Sequence, residues 1–284
     1  MEGSIQQLLP KDFPLLLKEI PDPPKKLYLR GNLPSTDLTW IAVVGSRKYT
    51  SYGKQVVEHL IKGLSGAPLV IVSGLALGTD SLAHRAAIDN NLPTVAIPGS
   101  GLDDSVLYPR TNVSLSRSIL ESGGALLSEF EPNFKATLWG FPRRNRIMAG
   151  ISHATLLIEA APKSGTLITA RLANEYNREV FVVPNSIFSE SSKGVHQFLR
   201  LGATPVTSAD DILDALSIKK SNEPKELGNL TGDEHLVLTL IANPISRDDL
   251  LRALKKPISE AQVLLSTMEL KGLITEHMGI MRAL

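Results

Sequence analysis

The chain has 284 residues, a formal net charge of +1 and no cysteine. The length favours one full-sized domain with a smaller second one, and the absence of cysteine excludes disulfides, thiolate chemistry and cysteine-based zinc or iron–sulfur sites. The near-neutral charge argues against a protein that coats nucleic acid through its overall charge, so any nucleic-acid site must be local.

Membrane insertion and export are not expected for this chain. No uninterrupted apolar run approaches the ~18 residues that a membrane-spanning helix needs. The first residues lack the pattern of a signal peptide. We therefore expect a cytoplasmic protein without a membrane span.

Residues 1–39 are interrupted by several prolines, which forbid a long helix. A short apolar-rich piece, Leu27-Tyr28-Leu29, follows the prolines. We interpret this segment as an N-terminal arm that docks onto the domain that follows.

Residues 40–216 show short aliphatic runs that alternate with segments of helical period, as in repeated βα units. Most of the runs are apolar throughout, which is typical of parallel strands covered on both faces. The sequence therefore predicts an α/β fold with an extended Rossmann-like, doubly wound parallel sheet. Its seven predicted strands are residues 41–45, 69–73, 94–97, 125–128, 155–159, 180–183 and 204–206.

The C-terminal part predicts a linker and a small domain. Residues 217–230 are polar and charged and have no periodicity, which indicates a linker. In residues 231–284 the pattern predicts a helix at 235–242, two further helices beginning at Ser246 and Ser259, and a hairpin of residues 273–276 and 280–282. Three helices and a hairpin form a winged-helix domain. Its basic and acidic residues balance, so we expect it to contact protein rather than DNA.

The loop after the first predicted strand, Gly45-Ser46-Arg47, has the composition of a phosphate-binding loop. In doubly wound sheets, ligands bind beyond the C-terminal ends of the strands. Here Gly45 permits close approach of the backbone, Ser46 offers a hydroxyl, and Arg47 can bind phosphate oxygens with its guanidinium. The next glycine is Gly53, so the GxGxxG fingerprint is absent and a dinucleotide cofactor loses its main support. We expect a phosphate site and no cofactor.

Two further loops between a strand and a helix contain pairs of glycines. We expect their backbone amides to line the same rim and to cradle an anion. The glycines are Gly74 and Gly78 in one loop and Gly99 and Gly101 in the other. After the first of these loops, Asp80 and His84 lie four residues apart on a predicted helix. We interpret them as capping and packing residues rather than as an acid/base pair.

A segment that begins at Phe141 combines an aromatic ring with basic side chains. An aromatic face can stack on any base, guanidinium groups bind phosphates and an asparagine can orient the chain, a combination typical of single-strand binding without sequence preference. The polar residues of this segment are Arg143, Arg144, Asn145 and Arg146.

A fifth loop, Lys163-Ser164-Gly165-Thr166, again lies between a strand and a helix and is expected to point amides and an ammonium group at the same rim. It belongs to a stretch, residues 135–178, in which seven basic residues face only two acidic ones. This local excess of positive charge favours an anionic ligand, although the net charge of the whole chain is close to zero.

In order and spacing, these motifs closely resemble the DprA/Smf family of bacterial DNA-processing proteins over nearly the whole central domain. The resemblance implies a fold that binds single-stranded DNA, protects incoming DNA during natural transformation, forms a homodimer and helps to load the recombinase RecA. It also implies that the protein is not an enzyme. Matched position by position, the family's binding residues are Ser46, Arg47, Arg110, Lys135, Phe141, Arg144 and Asn145.

Two alternatives stay open. A related Rossmann family, the nucleoside-monophosphate phosphoribohydrolases, uses a Pro-Gly-Gly-x-Gly-Thr-x-x-Glu loop near residues 162–166, but here the paired glycines are missing and Thr169 stands in place of the catalytic glutamate. A winged-helix transcriptional regulator is the other alternative, and the neutral charge of that domain weakens it, since groove binding needs excess positive charge.

Overall fold

The computed structural model describes residues 4–219, 231–241, 245–271, 273–277 and 279–283. The chain divides into two compact units, Met1–Ser221 and Asn222–Leu284. Residues 220–230 of the predicted linker lie outside the described residues. Within the described ranges, no helix is both long and apolar enough to cross a membrane.

A nine-stranded, mostly parallel sheet forms the centre of the first unit in the described part of the chain. Its strands are β1 (Ile5–Leu8), β2 (Leu27–Gly31), β3 (Thr39–Val44), β4 (Leu69–Ser73), β5 (Thr94–Ala96), β6 (Ala125–Ser128), β7 (Ala154–Leu157), β8 (Glu179–Val182) and β9 (Thr204–Pro205). Their spatial order is β1-β2-β6-β5-β4-β3-β7-β8-β9. Strands β3 to β9 pair in parallel, whereas β2 pairs antiparallel with β6 and with β1. The predicted α/β fold is confirmed.

Helices cover both faces of this sheet, as a doubly wound fold requires. They are α1 (Leu15–Lys18), α2 (Ser51–Gly63), α3 (Thr79–Asp89), α4 (Val113–Glu121), α5 (Gly140–Ile151), α6 (Thr166–Glu175), α7 (Val195–Arg200) and α8 (Ala209–Ala215). Alternate residues of β3 point to opposite faces. Ile41 packs in one apolar core with α2, α3 and α8, and Ala42 packs in another with α1, α5, α6 and α7.

All seven predicted strands are present as β3 to β9, and their ends differ from the prediction by at most two residues. The prediction did not include β1 and β2, which the proline-rich segment contributes. There, Leu17 and Leu27 are fully buried in the larger core, and Tyr28 pairs with Ser128 of β6. Residues 4–39 therefore extend the sheet at one edge and complete its core.

The C-terminal unit has the predicted winged-helix architecture. It contains α9 (Gly232–Leu240), β10 (Ile245–Ser246), α10 (Arg247–Ala253), α11 (Ile258–Leu270), β11 (Ile274–His277) and β12 (Ile280–Ala283), with the strands in the antiparallel order β10-β12-β11. Ser246 caps α10 as expected, by accepting a hydrogen bond from the amide of Asp249 at 3.1 Å. The third helix begins at Ile258, one residue before the predicted Ser259, and the predicted end of the first helix at Ala242 lies outside the described residues.

Candidate functional site

The order of the strands creates a topological switch point between β3 and β7. From β3 the chain proceeds through β4 and β5 to β6 on one side, and then returns to β7 on the other side of β3. Doubly wound folds bind their ligands in the crevice that opens at such a point, beyond the carboxyl ends of the strands. The loops after β3 and β7 contain residues 45–47 and 163–166, and they line a cleft of ≈ 690 Å³.

The loop after β3 is held in place by the start of α3. The carbonyl oxygen of Ser46 accepts hydrogen bonds from the amide and the hydroxyl of Thr79, both at 3.1 Å. A Cβ atom at Gly45 would lie 2.5 Å from the Thr79 hydroxyl, and one at Gly78, where φ is +85°, would lie 2.4 Å from the Ser46 carbonyl oxygen. Both glycines therefore allow a close approach between the two loops, and Gly78 supports the first loop from behind.

The hydroxyl of Ser46 is used to shape the loop itself. It donates to the carbonyl oxygen of Lys48 at 2.7 Å and accepts from the amide of Lys48 at 3.0 Å. The side chains of Arg47 and Lys48 are exposed and line the cleft. In the described part of the chain, no hydrogen bond or ion pair engages either side chain. The loop therefore presents two free cations on a fixed backbone.

The guanidinium of Arg47 lies over the ring of Phe141, with 5.3 Å between Cζ and the ring centroid, a cation–π distance. Phe141 is half-buried at the start of α5 and lines the cleft. A Cβ atom at Gly99 would lie 2.6 Å from this ring, so Gly99 makes room for the aromatic side chain. On another side, the ring of Tyr108 lies 5.8 Å from that of Phe141. A cation and an aromatic ring thus stand together at the cleft.

The floor of the cleft contains the buried side chains of Arg144 and Asp80, which interact electrostatically but form no ion pair with each other. The Arg144 guanidinium donates to the carbonyl oxygens of Gly74 and Ile97 and, at 3.1 Å, to Oδ1 of Asn145. Burial lowers the pKa of Arg144 to about 10; Asp80 opposes this shift and Arg47 adds to it. Burial also shifts the pKa of Asp80, which it raises. The positive charge of Arg144, the amides of Ala76 and Gly74, and the charge of Arg47 each lower this pKa and so oppose the shift.

The second glycine loop differs from the expected anion cradle. The amides of Gly74 and Ala76 donate to Oδ2 of Asp80 at 3.0 and 3.4 Å. A Cβ atom at Gly74 would lie 2.1 Å from the Arg144 guanidinium. The carboxylate thus occupies the position expected for a ligand anion, because the turn closes on the start of its own helix.

Gly101, Arg110 and Lys135 do not line the cleft. Gly101 is buried, and its amide donates to the carbonyl oxygen of Phe134 at 2.8 Å. Arg110 is exposed and donates to the carbonyl oxygen of Asp104. Lys135 is exposed, and its ammonium group has no hydrogen bond or ion pair among the described residues. Of the two charged residues in this group, Arg110 is engaged and Lys135 is not.

Arg143 and Arg146 are engaged by one carboxylate. Nε and Nη2 of Arg143 donate to Glu129 at 2.9 and 3.1 Å, and the buried Arg146 donates to the same carboxylate and to the carbonyl oxygen of Asp22. In the same basic stretch, Arg178 donates to the carbonyl oxygen of Leu16 at 2.8 Å. These guanidinium groups hold α5 and the start of β8 against other parts of the fold. They therefore do not join Arg47, Lys48 and Lys163 in one basic surface, as the sequence led us to expect.

The loop after β7 joins the first loop across the switch point. The Thr166 hydroxyl donates to the carbonyl oxygen of Gly45 at 2.9 Å, and the Thr166 amide donates to the Ser164 hydroxyl at 3.2 Å. Nδ2 of Asn145 donates to the carbonyl oxygen of Gly165 at 3.3 Å. Lys163 is exposed and lines the cleft. Asn145 and Thr166 thus position the loop that carries Lys163, whose ammonium group has no hydrogen bond or ion pair among the described residues.

Sequence reasoning did not assign several residues that line the cleft to the site, among them the cation Lys48 and the highly exposed Leu138. The position of Lys48 next to Arg47 was an available signal. For Leu138 there was none, because nothing in the sequence indicates that residue 138 leads into the cleft.

Glu159, at the end of the predicted strand 155–159, is fully buried and does not line the cleft. Its carboxylate accepts hydrogen bonds from the amide and hydroxyl of Thr50 at 2.9 and 2.6 Å and from the hydroxyl of Ser191 at 3.1 Å. Glu159 thereby ties the start of α2 to the segment after β8, which is a structural task.

Both units of the chain match models of known protein families. The model of the family described as DNA recombination-mediator protein A matches residues 5–217, and the DprA winged helix domain matches residues 221–279. Protein Smf of Escherichia coli is 39% identical over 219 residues, which cover 76% of this chain and 58% of that protein. DNA processing protein DprA of Streptococcus pneumoniae is 42% identical over 201 residues, 71% of this chain and 70% of the relative.

Two solved structures resemble the chain closely. The X-ray structure of DprA from Streptococcus pneumoniae has a TM-score of 0.68 at 39% identity and covers 74% of each chain. The second, from Helicobacter pylori, has a TM-score of 0.67 at 30% identity and covers 76% of this chain and 98% of the other. It is described as showing a unique mode of single-stranded DNA binding by DNA processing protein A.

Proposed function

The chain belongs to the DNA recombination-mediator protein A family, and we propose that it binds single-stranded DNA, without catalysis, in the cleft between the loops after β3 and β7. The observation that carries this proposal is the position of Arg47, whose guanidinium forms no hydrogen bond or ion pair among the described residues, over the ring of Phe141. A phosphate contact next to an aromatic face is the combination that single-stranded nucleic acid requires.

The charges around the cleft support a polyanionic ligand. Arg47, Lys48 and Lys163 are exposed at its rim, whereas the buried Arg144 of the floor has Asp80 as its counter-charge. A ligand of several phosphates would therefore meet its cations along the rim. The relative from Helicobacter pylori, which binds single-stranded DNA, lends this proposal further support.

We further infer that the protein protects incoming DNA during natural transformation, helps to load a RecA-type recombinase and acts in the cytoplasm as a homodimer. Membership of the family supports these roles. For the homodimer, the adjacent and highly exposed side chains of Ile187 and Phe188 between β8 and β9 add support, because neighbouring exposed apolar side chains are typical of contact with another protein.

The winged-helix unit fits a partner other than a DNA duplex. Lys256 pairs with Asp233 at 2.7 Å, Lys271 pairs with Glu234 at 2.6 Å, and Arg247 pairs with two glutamates. Since these cations are engaged within the unit, they are less available to phosphates. Contact with protein is therefore the role that we propose for this unit.

The proposed function predicts a steep dependence of single-strand affinity on salt. Each phosphate contact releases counterions, so the logarithm of the affinity should fall linearly with the logarithm of the salt concentration, and Arg47→Ala should make the slope shallower by about one unit. Fluorescence anisotropy of a labelled oligothymidylate, titrated at several salt concentrations, measures both slopes.

Arg143→Ala is the matched control for Arg47→Ala. It removes the same charge from an exposed position, but Arg143 already binds Glu129. Its slope should therefore stay closer to that of the parent protein. An affinity of the parent that does not depend on salt, or an unchanged slope in Arg47→Ala, would contradict the proposed site.

A further inference from the structure

A second group of aromatic side chains lies directly before Phe141 in the chain. The rings of Phe130 and Phe134 are stacked, with centroids 4.5 Å apart. The indole of Trp139 packs edge-on against both, at 5.6 Å from each centroid. Its orientation is thus held on one side by two rings.

Trp139 and its neighbour Leu138 are nevertheless exposed to solvent, Trp139 by 54% and Leu138 by 89%. Leu138 lines the cleft, and Phe141 follows two residues after Trp139. Two adjacent large apolar side chains beside a binding cleft leave apolar surface in water unless a ligand covers it. A ring already held by packing loses little conformational entropy when a second ring stacks on it.

The segment also carries a cation that the proposed cleft does not use. Lys135 is exposed, and its ammonium group is unengaged within the described residues. Between Lys135 and Trp139 the chain therefore offers one charge for a phosphate and one aromatic face for a base, the same pair of groups as Arg47 and Phe141.

We propose that Trp139, together with Leu138, is a second base-stacking platform, and that single-stranded DNA leaves the cleft over it, past Lys135, which the family resemblance already matches to a binding residue. This inference rests on the proposed function and extends it from one aromatic face, that of Phe141, to a second one outside the cleft. The ligand recognised here is the π face of a nucleobase, whatever the sequence.

Intrinsic fluorescence gives a direct test, because the chain has two tryptophans. Trp40 is only 1% exposed and donates from Nε1 to the carbonyl oxygen of Ser35, so it is shielded from a ligand. Titration of the full-length protein with oligothymidylate should quench the fluorescence of Trp139. The same oligonucleotide with abasic sites should quench it much less, and Trp139→Phe should show no quenching.

The affinities of variants for oligothymidylate and for the abasic oligonucleotide give a second test. Trp139→Ala should weaken binding of oligothymidylate by about 10-fold, leave binding of the abasic oligonucleotide unchanged and leave the salt slope unchanged, because a base contact but no charge is lost. Trp139→Phe should keep most of the affinity. Since Trp139→Ala also removes contacts with Phe130 and Phe134, Leu138→Ser serves as a second variant at an almost fully exposed position, and it should weaken only the binding of the base-containing oligonucleotide.

The outcomes separate this inference from the proposed function. A parent protein that binds oligothymidylate with a steep salt slope, but without quenching and with the same affinity in Trp139→Ala and Leu138→Ser, would overturn the platform alone. A parent protein that does not bind oligothymidylate would overturn the proposed function and the platform with it.

Discussion

Arg144→Ala is expected to destabilise the first unit by about 2–6 kcal/mol, since each of two buried carbonyl oxygens that loses its donor costs about 1–3 kcal/mol. The guanidinium is buried, donates to the carbonyl oxygens of Gly74 and Ile97, and is the counter-charge of the buried Asp80. Alanine would leave these two carbonyl oxygens without their donor and would remove the positive charge near the Asp80 carboxylate. Urea unfolding followed by circular dichroism measures the loss.

Arg47→Ala is the control for this experiment, since Arg47 is exposed and engages no hydrogen bond or ion pair within the described residues. Its effect on stability should stay within about 0.5 kcal/mol, while its single-strand affinity falls. We thus expect Arg144 to stabilise the floor of the cleft and Arg47 to bind single-stranded DNA. An Arg144→Ala variant with the stability of the parent and reduced DNA affinity would instead make Arg144 a direct phosphate ligand.

Acidification below about pH 6.5 is expected to remove stability through His84, by up to about 1.4 kcal/mol per pH unit. The imidazole is fully buried and bonds to the hydroxyl of Thr94 through Nδ1 at 2.8 Å. Burial, and then the positive charge of Arg144, lower the pKa of His84 from 6.5 to about 3.

The sign of the effect follows from these two values. Between pH 6.5 and pH 3 the unfolded chain takes up the proton and the folded chain does not, so stability falls as the pH is lowered. Asp80 acts in the opposite direction, because its pKa is raised in the folded state and protonation at low pH relieves its burial. Asp104, Asp211 and Glu234, whose pKa values are lowered in the folded state, add to the loss of stability at low pH, so the net slope of the parent combines several groups of both signs.

His84→Asn isolates this contribution, since an asparagine retains a polar group near the position of Nδ1 but does not titrate. Urea unfolding of both proteins at several pH values between 6.5 and the acid limit gives the difference in their slopes. The variant should lose less stability on acidification than the parent. Equal slopes would mean that His84 takes up its proton in the folded state as readily as in the unfolded state.

The central sheet was predictable from local pattern. Runs such as Ile41 to Val44 are apolar at every position because parallel strands of a doubly wound fold are covered on both faces, and this property is visible in a single sequence. The strands β1 and β2 were not predicted. Strand β1 pairs with β2, and β2 pairs with β6, which lies about a hundred residues further along the chain; short strands next to prolines carry no comparable local signal.

In the site, the sequence placed the right loops at one edge of the sheet but did not distinguish their side chains. Arg47, Arg143 and Arg146 are the same residue type in equally plausible loops. Glu129 engages the last two and leaves the first free. The glycines also have different surroundings that the sequence does not show. Gly74 faces Asp80 and Arg144, whereas Gly99 faces Phe141.

The sequence by itself determined the fold class, the winged-helix unit and the position of Gly45-Ser46-Arg47 at the end of a strand, because each depends on residues close together in the chain. The tertiary structure decided which cations remain free for a ligand, and which apolar side chains, such as Leu138 and Trp139, stay exposed beside it. Pairing and burial depend on distances between residues far apart in sequence, and these distances exist only once the chain has folded.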